Sequence, residues 1–203
     1  IRIALRLACP DGSDVYLLHV SSPADHDSSN HRAYLSDLRM AFRHGPGARS
    51  SVRLHVAATE SDDPACGIAL FARAVHADAI VLPTRGSARP LNGVRDIAAD
   101  LLDEAPCPVL TMPSVPEQPI QPLHRLLLPS RPTEAQTDAA RQAWAWTGLH
   151  PQTLAPTLGT PFFFEASDLY VAPAGRDALP LVRSQPCALW IPPFARDEEG
   201  VVA

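Results

Sequence analysis

The chain has 203 residues, enough for one to two packed domains, and its 46% hydrophobic content argues against disorder. With 17 basic and 22 acidic residues the net charge is −5, so there is no basic footprint for gripping nucleic acid. All 17 basic residues are arginine, and the lack of lysine excludes a Walker-type phosphate lysine, a Schiff-base lysine and a pyridoxal-phosphate anchor, each of which needs an amine.

The opening IRIALRLA reads two ways. Ile1, Ile3, Leu5 and Leu7 alternate like a strand, whereas Ile1, Leu5 and Ala8 fit the face of a helix, the reading preferred. Turn chemistry at Pro10-Asp11-Gly12-Ser13 ends either element before a strand over 15–20 (VYLLHV). Leu35, Leu38 and Phe42 then have helical spacing, and 52–57 (VRLHVA) is a second strand. Asp63-Pro64 is an N-cap and first-turn pair for a helix with Ile68, Phe71, Ala72 and Val75 on its apolar face. A third strand follows at 79–82 (AIVL). Next comes a helix with Val94, Ile97, Ala98, Leu101 and Ala105 on one side, and then a fourth strand at 109–112 (VLTM). Strands alternating with helices predict an α/β fold, a parallel sheet covered on both faces through right-handed crossovers.

Residues 115–122 (VPEQPIQP) hold three of the chain's 22 prolines and read as a linker. Beyond it the pattern restarts. A strand is expected at 126–128, then a helix opened by the capping box Thr133-Glu134-Ala135-Gln136, with Ala139, Ala140, Ala143 and Trp146 on its apolar face. An internal repeat is also present: ADAIVLPTRG (77–86) is similar to SDLYVAPAGR (167–176), and APCPVL (105–110) to QPCALW (185–190). The gap between Trp146 and Asp168 is too short for two strands and two helices.

LLHV, then DAIVLPTRG, then an amphipathic helix running into EAPCPVL resemble the universal stress protein family over nearly all of residues 1–112. The remainder resembles a shortened second copy. The resemblance implies a Rossmann-like parallel five-stranded sheet in the order 3-2-1-4-5, paired with another module through its last strand. In those terms the first unit supplies strands 2 to 5 and the second supplies strands 1, 4 and 5. The first unit's strand 1 then lies upstream of Ile1, is IRIALRL itself, or is replaced by 123–128. The expected organisation is a first module over 1–114, a linker over 115–122, a truncated second module over 123–193 and a polar tail over 194–203.

Many members of this family bind ATP through a Gly-x-x-Gly, nine residues, Gly-[Ser/Thr] loop after strand 4, where amides and a helix N-terminus cradle phosphate. Here the first glycine position is Pro83, which lacks an amide donor, and only Gly86 matches. The terminal Gly-Ser pair falls on Arg95-Asp96, whose carboxylate repels phosphate. In the second copy Arg131 takes the place of the carboxylate that usually ends strand 1. The candidate ligand-binding residues are Val20, Thr84, Arg85, Gly86, Ser87, Arg89, Gly93 and Arg95, with Arg85, Arg89 and Arg95 as attractors of an anion.

Other chemistries have weaker signatures. Cys9, Cys66, Cys107 and Cys187 stand far apart without a Cys-x-x-Cys and read as small buried hydrophobes in a reducing compartment. The eight histidines form no His-x-x-x-His or His-x-His pair, so no metal site is expected. No Gly-x-Ser-x-Gly elbow marks a hydrolase, no apolar run approaches the ~20 residues of a membrane helix, and no charged-then-apolar leader opens the sequence. Trp144, Trp146, Trp190 and Phe162-Phe163-Phe164 gather in the second unit, as core or as a pairing surface. The expectation is therefore a cytoplasmic, non-enzymatic stress-response module with no required cofactor, acting as a homodimer or an intramolecular pseudo-dimer, with a further protein partner and a small ligand as additional roles. The alternative is an ATP-binding switch or weak ATPase using the loop after strand 4.

Overall fold

A computed structural model of the chain describes residues 12–23, 33, 36, 37, 40, 52–84, 97–113, 123–154, 167–184 and 187–193. The opening IRIALRLA, the linker 115–122 and the tail 194–203 lie outside these residues. The chain divides into two compact units, Ile1–Ala74 and Val75–Ala203.

In the first unit β1 (Ser13–Ser21) and β2 (Val52–Glu60) run parallel in unbroken register from Ser13↔Val52 to Ser21↔Glu60. Between them Ala33, Ser36, Asp37 and Met40 are helical, in keeping with the period of Leu35, Leu38 and Phe42, which themselves lie outside the described residues. Helix α1 (Pro64–Ala74) starts at the expected cap: Asp63 Oδ1 accepts from the backbone N–H groups of Ala65 at 3.0 Å and Cys66 at 3.3 Å. Its buried stripe differs from the one expected. Ala65, Gly67, Ala69 and Ala72 are buried, while Ile68 and Phe71 are only partly covered. Small residues win that face because the helix sits close: a Cβ on Gly67 would stand 3.0 Å from both Ser61 Cβ and Val20 Cγ1.

The second unit holds β3 (Ile80–Thr84), α2 (Ile97–Glu104), β4 (Val109–Pro113), β5 (Arg125–Leu128), α3 (Glu134–Thr147), β6 (Pro151–Thr153), β7 (Asp168–Val171), a 3₁₀ turn at Gly175–Ala178, α4 (Leu179–Ser184) and β8 (Ala188–Ile191). Its six strands lie in the order β3-β4-β8-β7-β5-β6. Every neighbouring pair is parallel except β4–β8, which is antiparallel. The α/β class with parallel pairing is thus present. The single five-stranded sheet in the order 3-2-1-4-5 is not: the described strands form a two-stranded sheet and this six-stranded mixed one.

Three details differ from the sequence reading. Strand β6 was not foreseen, because three residues containing proline and glutamine carry no periodic signal. It forms because Gly148, in the left-handed region at φ 72°, ends α3 and turns the chain back beside β5, where Leu154 N–H donates to Leu128 O at 2.8 Å. Strand β5 lies between β6 and β7, so it does not replace a first strand for the first unit. In α2 the buried residues are Ala99, Leu101 and Leu102, a face rotated from the one through Ile97 and Ala98, with Ala105 just beyond also buried.

The ladders on either side of the antiparallel seam have the same register. Ile80↔Val109 and Val81↔Leu110 recur, 90 and 80 residues later, as Tyr170↔Leu189 and Val171↔Trp190. The outward edges are blunted. Ile80 N–H donates inward to Pro108 O, and Pro83, three residues on and so of opposite facing, has its missing donor turned away from β4. By the same alternation Pro151 faces away from β5.

At the amino ends of β5 and β7, Arg125 grips Asp168 through two parallel bonds, Nε to Oδ1 at 2.7 Å and Nη2 to Oδ2 at 2.8 Å. The carboxylate is fully buried, whereas the guanidinium is 35% exposed and able to reach water. Removing the cation is therefore the worse change. Arg125→Met should cost about 3–5 kcal/mol, the range for a stranded buried charge, and more than Asp168→Asn, as read by urea unfolding. In the first unit Gly67→Val should cost about 1–3 kcal/mol by overpacking against Ser61 and Val20, a loss measurable as a lowered Tm.

Candidate functional site

In a parallel α/β sheet a ligand crevice is expected beyond the carboxyl ends of the strands, where consecutive connections leave in opposite directions. In the second unit that place lies between β5 and β7, since the chain leaves β5 toward β6 while β7 occupies its other side. The groups that meet there come from the loop Pro129-Ser130-Arg131-Pro132, the start of α3, and Pro173-Ala174 after β7.

The start of α3 is closed by its own residues. Thr133 Oγ1 accepts from Gln136 N–H at 3.2 Å, and Gln136 Oε1 accepts from Thr133 N–H at 3.0 Å, completing the capping box. Gln136 is buried, and its Nε2 donates to Val171 O at 3.3 Å, bridging the helix start to the end of β7. Ala172 N–H donates to Trp190 O at 3.0 Å, so the backbone leaving β7 is tied to β8. At the helix start the N–H groups of Thr133 and Gln136 are taken by each other's side chains, and the one cation in this loop, Arg131, is exposed.

Of the residues expected to bind a ligand, Val20 is the penultimate residue of β1, paired in register with Thr59 and facing Gly67 of α1. It works in the packing of that helix. Thr84 is the last residue of β3 and stands in register with Pro113. Arg85, Gly86, Ser87, Arg89, Gly93 and Arg95 lie outside the described residues.

Sequence reading missed two polar arrangements. One is the reach of Gln136 to Val171; a capping box announces its local bonds, but the third depends on β5 and β7 being neighbours. The other is in the first unit, where Asp14 of β1 accepts from Arg53 Nε and Nη2, each at 2.7 Å, and from His55 Nε2 at 2.6 Å. Tyr16 stacks on the His55 ring at 4.7 Å and meets Phe71 of α1 edge-on. Hydrogen bonds from Arg53, then His55, hold the Asp14 carboxyl well below the usual carboxylate range. The register Asp14↔Arg53 and Tyr16↔His55 makes this a cross-strand surface cluster. Among the described residues no group of three or more His, Cys, Asp or Glu side chains could hold a metal ion.

Cys107 and Cys187 occupy equivalent places just before β4 and β8, and both are buried. Burial pushes the Cys107 thiol up to about 11, with Asp78 adding to the rise, and the Cys187 thiol up to about 12, with Asp168 adding. A buried thiol of this kind is a poor nucleophile. Because ionisation is harder in the folded state, the stability they contribute is complete below about pH 9 and lost as pH rises toward 12. Thermal unfolding across that window should show a falling Tm, and a Cys107→Ala/Cys187→Ala double variant should flatten the fall.

The model of the universal stress protein family matches residues 1–113, more than half of the chain. No curated protein matches it. No described helix is long and apolar enough to cross a membrane. The matched segment carries β1 to β4 with α1 and α2, the alternating parallel strands and helices of an α/β fold. On this match over most of its length, the chain belongs to the universal stress protein family.

Proposed function

We propose that the chain is a stress-response regulatory module that acts without catalysis, and that residues 123–193 form a shortened second module, joined to the first over 115–122, that takes the place of a second copy. The observation that carries this reading is the antiparallel pairing of β4 with β8, the last strand of each half. Val109, Leu110 and Thr111 meet Ile191, Trp190 and Leu189, and all six side chains are buried. The edge through which a module would pair with another copy is thus occupied from within the chain, which favours the intramolecular pseudo-dimer over a homodimer built on β4.

Two further observations support it. The β3–β4 and β7–β8 ladders share a register under the offsets of the sequence repeat. The run β6-β5-β7-β8 is the order 2-1-4-5, and the pairs β1–β2 and β3–β4 are the neighbours 2–3 and 4–5, of the family sheet implied by the resemblance. Nucleotide binding is reduced or lost in this reading. Pro83 stands where a glycine would serve a phosphate, and in the second half the Thr133–Gln136 cap and its bond to Val171 use polar groups at the start of α3 within the protein. A ligand of the first half is then a small anion met by Arg85, Arg89 and Arg95, in a protein that resides in the cytoplasm.

Light scattering on the full-length chain should give a monomer across a wide dilution range; a dimer that persists until the protein unfolds would overturn the built-in partner. Calorimetry should detect no submicromolar ATP binding, and ATP hydrolysis above buffer would instead favour the switch or weak ATPase.

A further inference from the structure

The seam between β4 and β8 has a local twofold relation. Under the repeat, Val109, Leu110 and Thr111 are equivalent to Leu189, Trp190 and Ile191. In the observed register Val109 faces Ile191, the equivalent of Thr111, and Thr111 faces Leu189, the equivalent of Val109. Leu110 faces Trp190, its own equivalent. This is the self-complementary pattern of an isologous interface, with the axis through the Leu110–Trp190 pair. Such a register permits three pairings: β4 with β8, β4 with a second β4, or β8 with a second β8. Backbone hydrogen bonding does not distinguish among them, so the choice falls to the side chains on the axis.

There the two halves differ most in size. We propose that the Leu110–Trp190 mismatch is the specificity-determining element of the seam, committing β4 and β8 to each other and away from their counterparts in a second copy of the chain. The inference rests on the built-in-partner reading above. Directly opposed residues of an antiparallel pair have Cβ atoms ~4.5–5.5 Å apart, and both side chains here are buried, Leu110 at 0% and Trp190 at 1% exposure. In a close-packed interior the summed volume of the pair is therefore constrained. Leucine against leucine on the axis leaves a void, and tryptophan against tryptophan overfills it.

Two further features show that size is what matters at 190. The Trp190 indole N–H is buried and finds no acceptor among the described residues, a polar cost that leucine would avoid. Trp146 of α3 packs edge-on against the Trp190 ring, centroids 5.6 Å apart at 78°, so the second half itself orients the larger partner.

The test uses the full-length chain and three variants: Trp190→Leu, which makes the axis leucine on leucine, Leu110→Trp, which makes it tryptophan on tryptophan, and the exchange Leu110→Trp/Trp190→Leu, which restores one of each. Light scattering over a dilution series reads oligomeric state, and thermal unfolding reads folding. Trp190→Leu should self-associate, its dimer dissociation constant falling by about tenfold or more relative to the unmutated chain, ~1.4 kcal/mol. The exchange variant should return to monomer and regain more Tm than the two single losses added together predict. A folded, monomeric Trp190→Leu, or an exchange variant whose losses simply add, overturns the inference. If Trp190→Leu fails to fold, the comparison of Leu110→Trp with the exchange variant decides: rescue of the monomer supports the mismatch, and its absence overturns it. A dimeric unmutated chain that dissociates only on unfolding would instead sink the built-in partner, whereas a monomeric parent with monomeric variants sinks only the role of the axial pair.

Discussion

Three register pairs, Val109–Ile191, Leu110–Trp190 and Thr111–Leu189, join the parallel pair β3–β4 to the parallel run β8-β7-β5-β6. Without them β3–β4 is a two-stranded ribbon and β8 is a bare edge. Neither is a stable end point in water, because a ribbon of two strands buries too little and an unpaired apolar edge invites other chains. With them, all four residues of β8 are buried, and β4 is paired on both sides.

The remaining polar groups of the second half are disposed so that this sheet can close. The Asp168 carboxylate, taken fully out of water at the foot of β7, is held by a bidentate arginine whose own head still touches solvent. This arrangement limits the desolvation of the pair to one ion. At the opposite end of the same strands Gln136 is buried because each side of its amide is used, the oxygen on Thr133 and the nitrogen on Val171. The residue that starts α3 thus also ties the helix to the end of β7.

Much of this was legible in residue order. The strand at 15–20, its partner at 52–57, the Asp63-Pro64 helix start and the capping box at Thr133 are local statements, made by alternation, by a fixed φ and by side chains that bond their own backbone. They stand as expected. The buried faces of α1 and α2 were less legible. Periodicity finds the largest apolar residues, whereas α1 approaches its sheet so closely that alanine and glycine take the inner positions. Strand β6 was not legible, since three residues exert no periodic signal and exist as a strand only because β5 presents a free edge beside the end of α3.

Composition and motif spacing determined that this is an α/β chain without lysine chemistry whose residues 1–113 carry the family pattern, because each of those is a property of residues read one after another. Which strands became neighbours was decided only by tertiary structure. The pairing of β4 with β8, the burial of Asp168 against Arg125 and the third bond of Gln136 join residues 35 to 82 positions apart along the chain, and no local propensity encodes such a choice. It follows from which apolar edges and faces can be removed from water together, a condition that the whole second unit satisfies at once.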